Sequence, residues 1–126
     1  MLSVVVIDDE LLALNLLSYL LDNFTSVQLK VVGKAMNLAD GIELIKRTSP
    51  DLVFLDIEMP DGNGMEIFDH QFSQKTKIVL VTGHDHYAID AINKSVAGYL
   101  LKPVNFIDLQ NVVKKVEKMI RLEQQQ

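Results

Sequence analysis

The sequence predicts an α/β fold in which a five-stranded parallel sheet is covered by helices on both faces. Two observations support this prediction. Segments of strand length and segments of helix length alternate five times along the chain, the order typical of parallel sheets with crossover helices. The strand segments are also almost continuously apolar, as expected for strands buried on both faces. The 126 residues, of which 48% are hydrophobic, suffice for one domain with an ordinary core.

The predicted strands are short runs rich in valine, isoleucine and leucine. Apolar β-branched residues favour strands, and glycine, proline and polar clusters tend to end them. Gly33, for example, is predicted to end the second strand. The five predicted strands are Ser3–Ile7, Val27–Val32, Leu52–Leu55, Lys77–Val81 and Gly98–Leu101.

The predicted helices follow from segment length, periodicity and capping. The last helix has apolar residues at positions 109, 112, 113, 116, 119 and 120, which is the spacing of a single helical face. Asn37 is predicted to be the N-cap of the second helix, because its side chain can accept a hydrogen bond from a free backbone N–H group. Residues 60–64 are predicted to form a loop. The five predicted helices are Leu11–Asn23, Asn37–Thr48, Met65–Phe72, Asp85–Lys94 and Asn105–Glu123.

Chemically functional side chains follow four of the five predicted strands. In an open parallel sheet, ligands bind beyond the carboxyl ends of the strands, where the strand order reverses. With the order 2-1-3-4-5, the first and third strands are neighbours, so the three aspartates that follow them are expected to converge in one pocket. The residues at these strand ends are Asp8, Asp9, Asp56, Glu58, Thr82, Lys102 and Pro103.

The three aspartates need positive charge close by, because like charges in one pocket repel each other. Lys102 supplies one positive charge, and a divalent cation would supply two more. Because all the candidate ligands are oxygens, Mg²⁺ is favoured over zinc or copper, with Mn²⁺ as the alternative. A carboxylate can attack phosphorus to give an acyl phosphate, and phosphoryl transfer mainly needs positioning and charge neutralisation. The set is therefore suited to handling a phosphoryl group.

Taken singly, each of these residues has a purely structural explanation. An acid at a strand end is often a turn residue or a helix N-cap, and threonine favours strands. The functional interpretation therefore depends on the joint arrangement of four strand ends, which together serve one chemistry.

Composition and charge exclude several classes of protein. A net charge of −5 argues against a segment that binds nucleic acid through its phosphates. The absence of cysteine excludes disulfides, zinc thiolates and thiol nucleophiles, and it fits a reducing compartment. The most apolar stretch, Leu11–Leu21, is shorter than the ~20 residues that span a bilayer. We expect the protein to be cytoplasmic. We also expect this chain to bind neither nucleic acid nor membrane directly.

Four motifs, in this order, resemble the receiver domain of two-component response regulators. They are V-V-I-D-D-E at residues 5–10, F-L-D-I-E-M-P at 54–60 with Gly64 following, V-T-G at 81–83 and Y-L-L-K-P at 99–103. The resemblance covers about residues 2–122. It implies a flavodoxin-like (βα)5 fold with strand order 2-1-3-4-5 and three α/β/α layers.

The resemblance also implies a role for each acidic residue. Asp56 would be the phosphoacceptor. Asp9, Asp56 and the backbone carbonyl of Glu58 would bind Mg²⁺ directly, whereas Asp8 would act through water.

The remaining site residues would sense the phosphoryl group and transmit its presence. The resemblance implies that Thr82 and Lys102 contact the phosphoryl group, and that Tyr99 turns inward as Thr82 moves. The face made by the fourth helix, the fifth strand and the fifth helix would change as a result, and two receivers would pair. The peptide bond between Lys102 and Pro103 would be cis.

Two stretches are most similar to receivers that precede a LytTR-type DNA-binding domain: F-L-D-I-E-M-P, and H-Y-A-I-D-A-I followed by Y-L-L-K-P. We therefore expect residues 1–122 to be the receiver domain and 123–126 to begin a linker to an output domain outside this sequence. The implied partners are a sensor histidine kinase, that output domain and, on phosphorylation, a second copy of the chain. The chain would control transcription and would catalyse only its own phosphorylation and dephosphorylation.

Three alternatives stay open at this point. A phosphatase or phosphotransferase of the haloacid dehalogenase type also forms an aspartyl phosphate, but it normally has aspartate two positions after the nucleophile, where this chain has Glu58. A flavodoxin-like binding module needs a phosphate-binding loop after the first strand, where this chain has Asp8, Asp9 and Glu10. The third alternative is a receiver-like interaction module that works without phosphorylation.

Overall fold

A computed structural model describes residues 1–23, 26–70, 72, 75–84, 91 and 93–125 of the chain. Five strands form one parallel sheet in the order β2-β1-β3-β6-β7, and a short hairpin, β4-β5, lies outside it. The strands are β1 (Leu2–Ile7), β2 (Leu29–Ala35), β3 (Leu52–Asp56), β4 (Glu58–Met59), β5 (Gly62–Asn63), β6 (Lys77–Thr82) and β7 (Gly98–Leu101). This is the predicted doubly wound order, because β6 and β7 are the predicted fourth and fifth strands.

Helices cover both faces of the sheet. They are α1 (Leu11–Asp22), α2 (Leu38–Thr48), a 3₁₀-helix (Gly64–Asp69) and α3 (Phe106–Gln124). Most of the predicted helix at 85–94 lies outside the described residues, although Ala91 and Asn93 are helical. In the described part of the chain, no helix is long and apolar enough to cross a membrane.

The core has two halves, one on each face of the sheet. Successive side chains of a strand point to opposite faces, so β1 and β3 contribute to both halves. Val4, Val6 and Phe54 pack with α1 and α3 on one face, whereas Val5 and Val53 pack with α2 and the 3₁₀-helix on the other. The apolar face predicted for the last helix is confirmed, since its buried residues are Leu109, Val113, Val116 and Ile120.

Two helices begin with an asparagine N-cap, and the first of these was predicted. The Asn37 side chain accepts a hydrogen bond from the Asp40 backbone N–H at 2.8 Å, which confirms Asn37 as the N-cap of α2. Asn105 caps α3 in the same way, by accepting from the Asp108 N–H at 2.8 Å.

The predicted end of the second strand at Gly33 is wrong. β2 runs through Gly33 to Ala35, and Gly33 pairs with Val5 beside an irregularity in the register. A Cβ atom at Gly33 would lie 2.7 Å from the side chain of Leu44 in α2. A larger residue at this position would require the Leu44 side chain to shift, so Gly33 allows the close approach of α2 to the strand and does not end the strand.

The region after β3 also differs from the prediction. Residues 60–63 of the predicted loop belong to the hairpin β4-β5, in which Glu58 pairs with Asn63 and Met59 pairs with Gly62. The predicted helix Met65–Phe72 is a 3₁₀-helix that spans Gly64–Asp69. It has 6 residues, which is long for a 3₁₀-helix, since runs of more than about four residues are uncommon.

Candidate functional site

The carboxyl ends of β1, β3, β6 and β7 bring the predicted site residues to one edge of the sheet. Ile7 and Leu55 are paired across β1 and β3, so Asp8 and Asp56 follow at adjacent positions. Asp56 is the last residue of β3 and pairs with Val81, the residue before Thr82. The side chains of Asp8, Asp56 and Thr82 are buried, with residue exposures of 3%, 6% and 1%.

Lys102 joins three of the carboxylates. Its Nζ atom lies 2.9 Å from Asp8 Oδ2, 3.0 Å from Glu10 Oε1 and 3.2 Å from Asp56 Oδ2. Burial by itself would lower the pKa of Lys102, but hydrogen bonds to Asp8 and Glu10, together with the nearby charges, raise it well above its ordinary value. Lys102 is therefore a fixed positive charge in the centre of an acidic cluster.

Asp56 is held in an environment that opposes its negative charge. Burial raises the pKa of Asp56 from 3.8 to about 6; Lys102 acts against this shift, and the negative charge of Asp8 adds to it. The Asp56 Oδ1 atom also accepts a hydrogen bond from the Glu58 backbone N–H at 3.3 Å. One lysine therefore compensates this carboxylate incompletely, and further positive charge beside it would favour its ionised form.

The acidic cluster has the composition of a site for a hard cation. Each of Asp8, Asp9, Glu10 and Asp56 offers a carboxylate oxygen, and these oxygens lie within 4.8 Å of one another. Oxygen ligands suit Mg²⁺ or Mn²⁺ better than softer metals. The residues present therefore fit the cation that the sequence predicts. Glu10 was not assigned to the site from the sequence. Its position directly after Asp8 and Asp9 could have indicated that it belongs there.

The Glu58 carboxylate does not belong to this cluster. Its Oε2 atom lies 3.2 Å from His84 Nε2, and both side chains are half exposed. Glu58 still lines the same cleft as Asp56, through the hairpin that begins at this residue. The cleft has a volume of about 420 Å³ and is lined also by Asp9, Thr82 and Lys102.

Thr82 and Tyr99 are connected through the backbone of His84. The Thr82 Oγ1 atom accepts a hydrogen bond from the His84 N–H at 3.2 Å. The Tyr99 hydroxyl donates a hydrogen bond to the His84 carbonyl oxygen at 2.6 Å. The peptide bond between Lys102 and Pro103 is cis, the isomer that the resemblance implied.

A larger cavity, of about 600 Å³, lies at the opposite edge of the sheet. Its lining includes Met1, Gln28, Asp51 and Arg121, which belong to the amino-terminal edge of the sheet and the end of α3. The acidic residues, Thr82 and Lys102 converge at the cleft of about 420 Å³. We therefore assign the candidate site to that cleft, although the other cavity is larger.

The chain belongs to the response regulator receiver domain family, which it matches over residues 4–114. It is thus the receiver domain of a two-component response regulator, and the resemblance predicted from the four motifs is confirmed. Membership of this family excludes two of the alternatives: a phosphatase or phosphotransferase of the haloacid dehalogenase type, and a flavodoxin-like module that binds a ligand through a phosphate-binding loop.

Two curated relatives and one solved structure illustrate the similarity. The chain is 41% identical to an uncharacterized response regulatory protein of Vibrio parahaemolyticus, over 95% of this chain and 49% of the relative. It is 36% identical to the sensory transduction protein LytT of Bacillus anthracis, over 100% of this chain and 50% of LytT. The response regulatory domain of mrkE from Klebsiella pneumoniae superimposes with a TM-score of 0.86 at 27% identity, covering 95% of this chain and 98% of that domain. The chain spans about half the length of the curated relatives it matches.

Proposed function

We propose that the chain is a phosphorylation-dependent switch that accepts a phosphoryl group on Asp56 from a sensor histidine kinase in the cytoplasm. One observation carries the proposal: Lys102 contacts Asp8, Glu10 and Asp56 at once and lines a cleft that Thr82 also lines. A buried carboxylate, a fixed ammonium group and a hydroxyl are the groups that phosphoryl transfer to an aspartate needs.

The acidic cluster would hold Mg²⁺, or Mn²⁺ in its place. Asp9, Asp56 and the backbone carbonyl of Glu58 would be direct ligands, and Asp8 would act through water. When bound, the cation supplies charge neutralisation for the phosphoryl oxygens. The four clustered carboxylates support this assignment, because they face a single ammonium group, that of Lys102, among the charged groups described at the site.

The transfer itself uses the ionised carboxylate of Asp56. One of its oxygens forms a bond to phosphorus while the bond between phosphorus and the histidine nitrogen of the kinase breaks, and the electron pair of that bond stays with the nitrogen. Lys102 would exchange part of its contact with Asp56 for a phosphoryl oxygen. The Thr82 hydroxyl would donate a hydrogen bond to another oxygen. The O–H donor of Thr82 is free for this bond, but its oxygen accepts a hydrogen bond from the His84 N–H, so a movement of Thr82 toward the phosphoryl group would disturb that bond.

Reorientation of Thr82 would reach Tyr99 through His84. Because Thr82 and Tyr99 both bond to the His84 backbone, a shift of this residue changes the partner of the Tyr99 hydroxyl. Tyr99 lies in β7, so its repacking would alter the surface that β7 forms with α3 and with the segment before β7. A local charge event would in this way select between two packing states.

The altered surface would pair two receivers and control a LytTR-type DNA-binding output domain. Similarity to LytT and the twofold greater length of the relatives support this part of the proposal. The same interpretation assigns the chain itself no role in binding DNA, in keeping with its net charge of −5.

Beryllofluoride, which forms a phosphoryl-like adduct with a carboxylate, tests the switch. Backbone NMR spectra would be recorded with Mg²⁺, with and without beryllofluoride, for the wild type and for Asp56→Asn. We expect shifts at Thr82, Tyr99 and Lys102 in the wild type only, and a larger sedimentation coefficient if two receivers pair. Binding of the reagent without shifts at Tyr99 would contradict the switch. No binding by a folded protein that holds Mg²⁺ would favour the interaction module that works without phosphorylation.

A further inference from the structure

The hairpin β4-β5 carries Glu58 into the site. Its two strands pair Glu58 with Asn63 and Met59 with Gly62, and residues 60 and 61 form the turn between them. The Glu58 backbone N–H donates to Asp56 Oδ1 at 3.3 Å. The position of the hairpin therefore decides where the backbone of Glu58 lies relative to the Asp56 carboxylate.

The base of the hairpin is fixed against β3 by close packing. The Gly64 N–H donates a hydrogen bond to the Ile57 carbonyl oxygen. A Cβ atom at Gly64 would lie 2.6 Å from the backbone oxygen of Asp56 and 2.9 Å from Ile57 Cα. The two chain segments are thus in direct backbone contact at this point, which leaves the turn as the part of the hairpin that needs a separate anchor.

Asp61 provides that anchor at the start of α2. Its Oδ1 atom accepts a hydrogen bond from the Leu38 backbone N–H at 2.8 Å, and its Oδ2 atom accepts from the Ala39 N–H at 3.0 Å. The first N–H groups of a helix have no partner within the helix and carry partial positive charge, so they bind a carboxylate well. In agreement, these two bonds lower the pKa of Asp61 below its ordinary value.

The anchor joins the hairpin to a part of the core. Leu38 is 4% exposed and Met59 is 8% exposed, and both belong to the same half of the core. Asp61 itself is exposed, so its side chain contributes hydrogen bonds and charge with little packing. Asn37, the N-cap of the same helix, forms its hydrogen bonds with Asp40 of that helix. No described hydrogen bond joins Asn37 to the hairpin.

We propose that Asp61 is a positioning residue of the phosphorylation site: by binding the N-terminus of α2 it holds the hairpin at the distance from Asp56 at which the Glu58 backbone can bind the cation. This inference rests on the proposed function, because it concerns the same cation and the same acceptor. Asp61 acts through Glu58 and does not touch the reacting atoms.

Three variants test the inference: Asp61→Asn, Asp61→Ala and Asn37→Ala. The two Asp61 variants lose the same charge, but asparagine keeps one side-chain oxygen that can accept from an α2 N–H group. Asn37→Ala weakens the same helix end and leaves the hairpin contact in place. For each, the dissociation constant of Mg²⁺ is measured by calorimetry, and phosphorylation by acetyl phosphate is followed as a function of Mg²⁺ concentration.

We expect Asp61→Ala to weaken Mg²⁺ binding about 10-fold, the lower end of the effect of removing an outer-shell partner of a metal ligand. Asp61→Asn should recover most of the affinity, and Asn37→Ala should bind Mg²⁺ like the wild type. In Asp61→Ala, the Mg²⁺ concentration for half-maximal phosphorylation should rise by the same factor, while the rate at saturating Mg²⁺ changes little.

The control variants distinguish this mechanism from simpler ones. Equal weakening in both Asp61 variants would assign the effect to charge alone and overturn the inference. Equal weakening in Asn37→Ala and Asp61→Ala would assign it to general loosening of α2 and overturn it as well. A wild-type protein that binds no Mg²⁺ would overturn the proposed function and this inference with it, whereas normal wild-type binding with an unaffected Asp61→Ala would overturn the inference alone.

Discussion

Replacing Asp56 with asparagine is expected to stabilise the metal-free protein at neutral pH. The Asp56 carboxylate is ionised at that pH although its side chain is only 8% exposed, and the nearby Asp8 repels it. Asparagine has nearly the same shape and can still accept the hydrogen bond from the Glu58 N–H, but it carries no charge. The substitution therefore removes an electrostatic cost and keeps most of the contacts.

The raised pKa gives the size and sign of the effect. The pKa of Asp56 is about 6 in the folded protein, against an ordinary value of 3.8. A difference of about two pKa units corresponds to about 3 kcal/mol at most. Between these two values the folded state binds more protons than the unfolded state, so the free energy of unfolding of the wild type falls as the pH rises. The cost is absent below the ordinary pKa and complete above the folded pKa.

Urea unfolding followed by circular dichroism, in EDTA and over a series of pH values, measures this difference. The advantage of Asp56→Asn should grow as the pH rises through the window between the two pKa values and then level off. Addition of Mg²⁺ should reduce it, since the ion stabilises the folded wild type preferentially. An Asp56→Asn protein that is no more stable than the wild type at neutral pH in EDTA, or a difference that does not change with pH, would refute the reasoning.

Asp61→Asn is the matched control, because the pKa of Asp61 is lowered whereas that of Asp56 is raised. Hydrogen bonds from Leu38 and Ala39 lower the pKa of Asp61. Its ionised form therefore stabilises the folded state above the ordinary pKa of the carboxyl group, and that stability is lost as the pH falls through the folded pKa. Asp61→Asn should be less stable than the wild type at neutral pH, and the difference should shrink on acidification.

Further substitutions test other contacts of the site. Lys102→Ala should destabilise the metal-free protein by about 3 kcal/mol, because it leaves the buried carboxylates of Asp8 and Asp56 without their cation. The same variant should bind Mg²⁺ more tightly in calorimetry, since the competing charge is gone. Gly64→Ala should lower stability by about 2 kcal/mol in thermal unfolding, because its Cβ would meet the backbone of Asp56 at 2.6 Å. Gly83→Ala has nothing within 4 Å of its Cβ and should stay within about 0.5 kcal/mol of the wild type; a loss equal to that of Gly64→Ala would contradict the packing argument.

The sheet could be predicted from the sequence where strands are buried on both faces. β3 and β6 are continuous apolar runs, and their positions were predicted to within one residue. The edge strand β2 alternates between half-buried and exposed residues, so its pattern is weaker and its predicted range was displaced. The role of Gly33 could not be predicted from its neighbours in the sequence, because the side chain that approaches it is Leu44 of the following helix.

The candidate site was predicted more completely than the segment that supports it. Acids and a lysine at the ends of neighbouring strands converge as soon as the strand order is known. The alternation of strands and helices predicts a parallel sheet, and the resemblance to receiver domains implies its order. The hairpin at 58–63 was missed because its strands have only two residues each, too few for a periodic signal. The contact of Asp61 with Leu38 and Ala39 was also missed, since it joins residues 22 or 23 positions apart.

The most direct test of the central claim is the intact mass of the protein after incubation with acetyl phosphate, with and without Mg²⁺, for the wild type and for Asp56→Asn. We predict a single phosphoryl adduct in the wild type that requires Mg²⁺ and is absent from Asp56→Asn. An adduct of the same yield in Asp56→Asn, or one that forms equally well in EDTA, would contradict the assignment of Asp56 as the acceptor in a cation-dependent site.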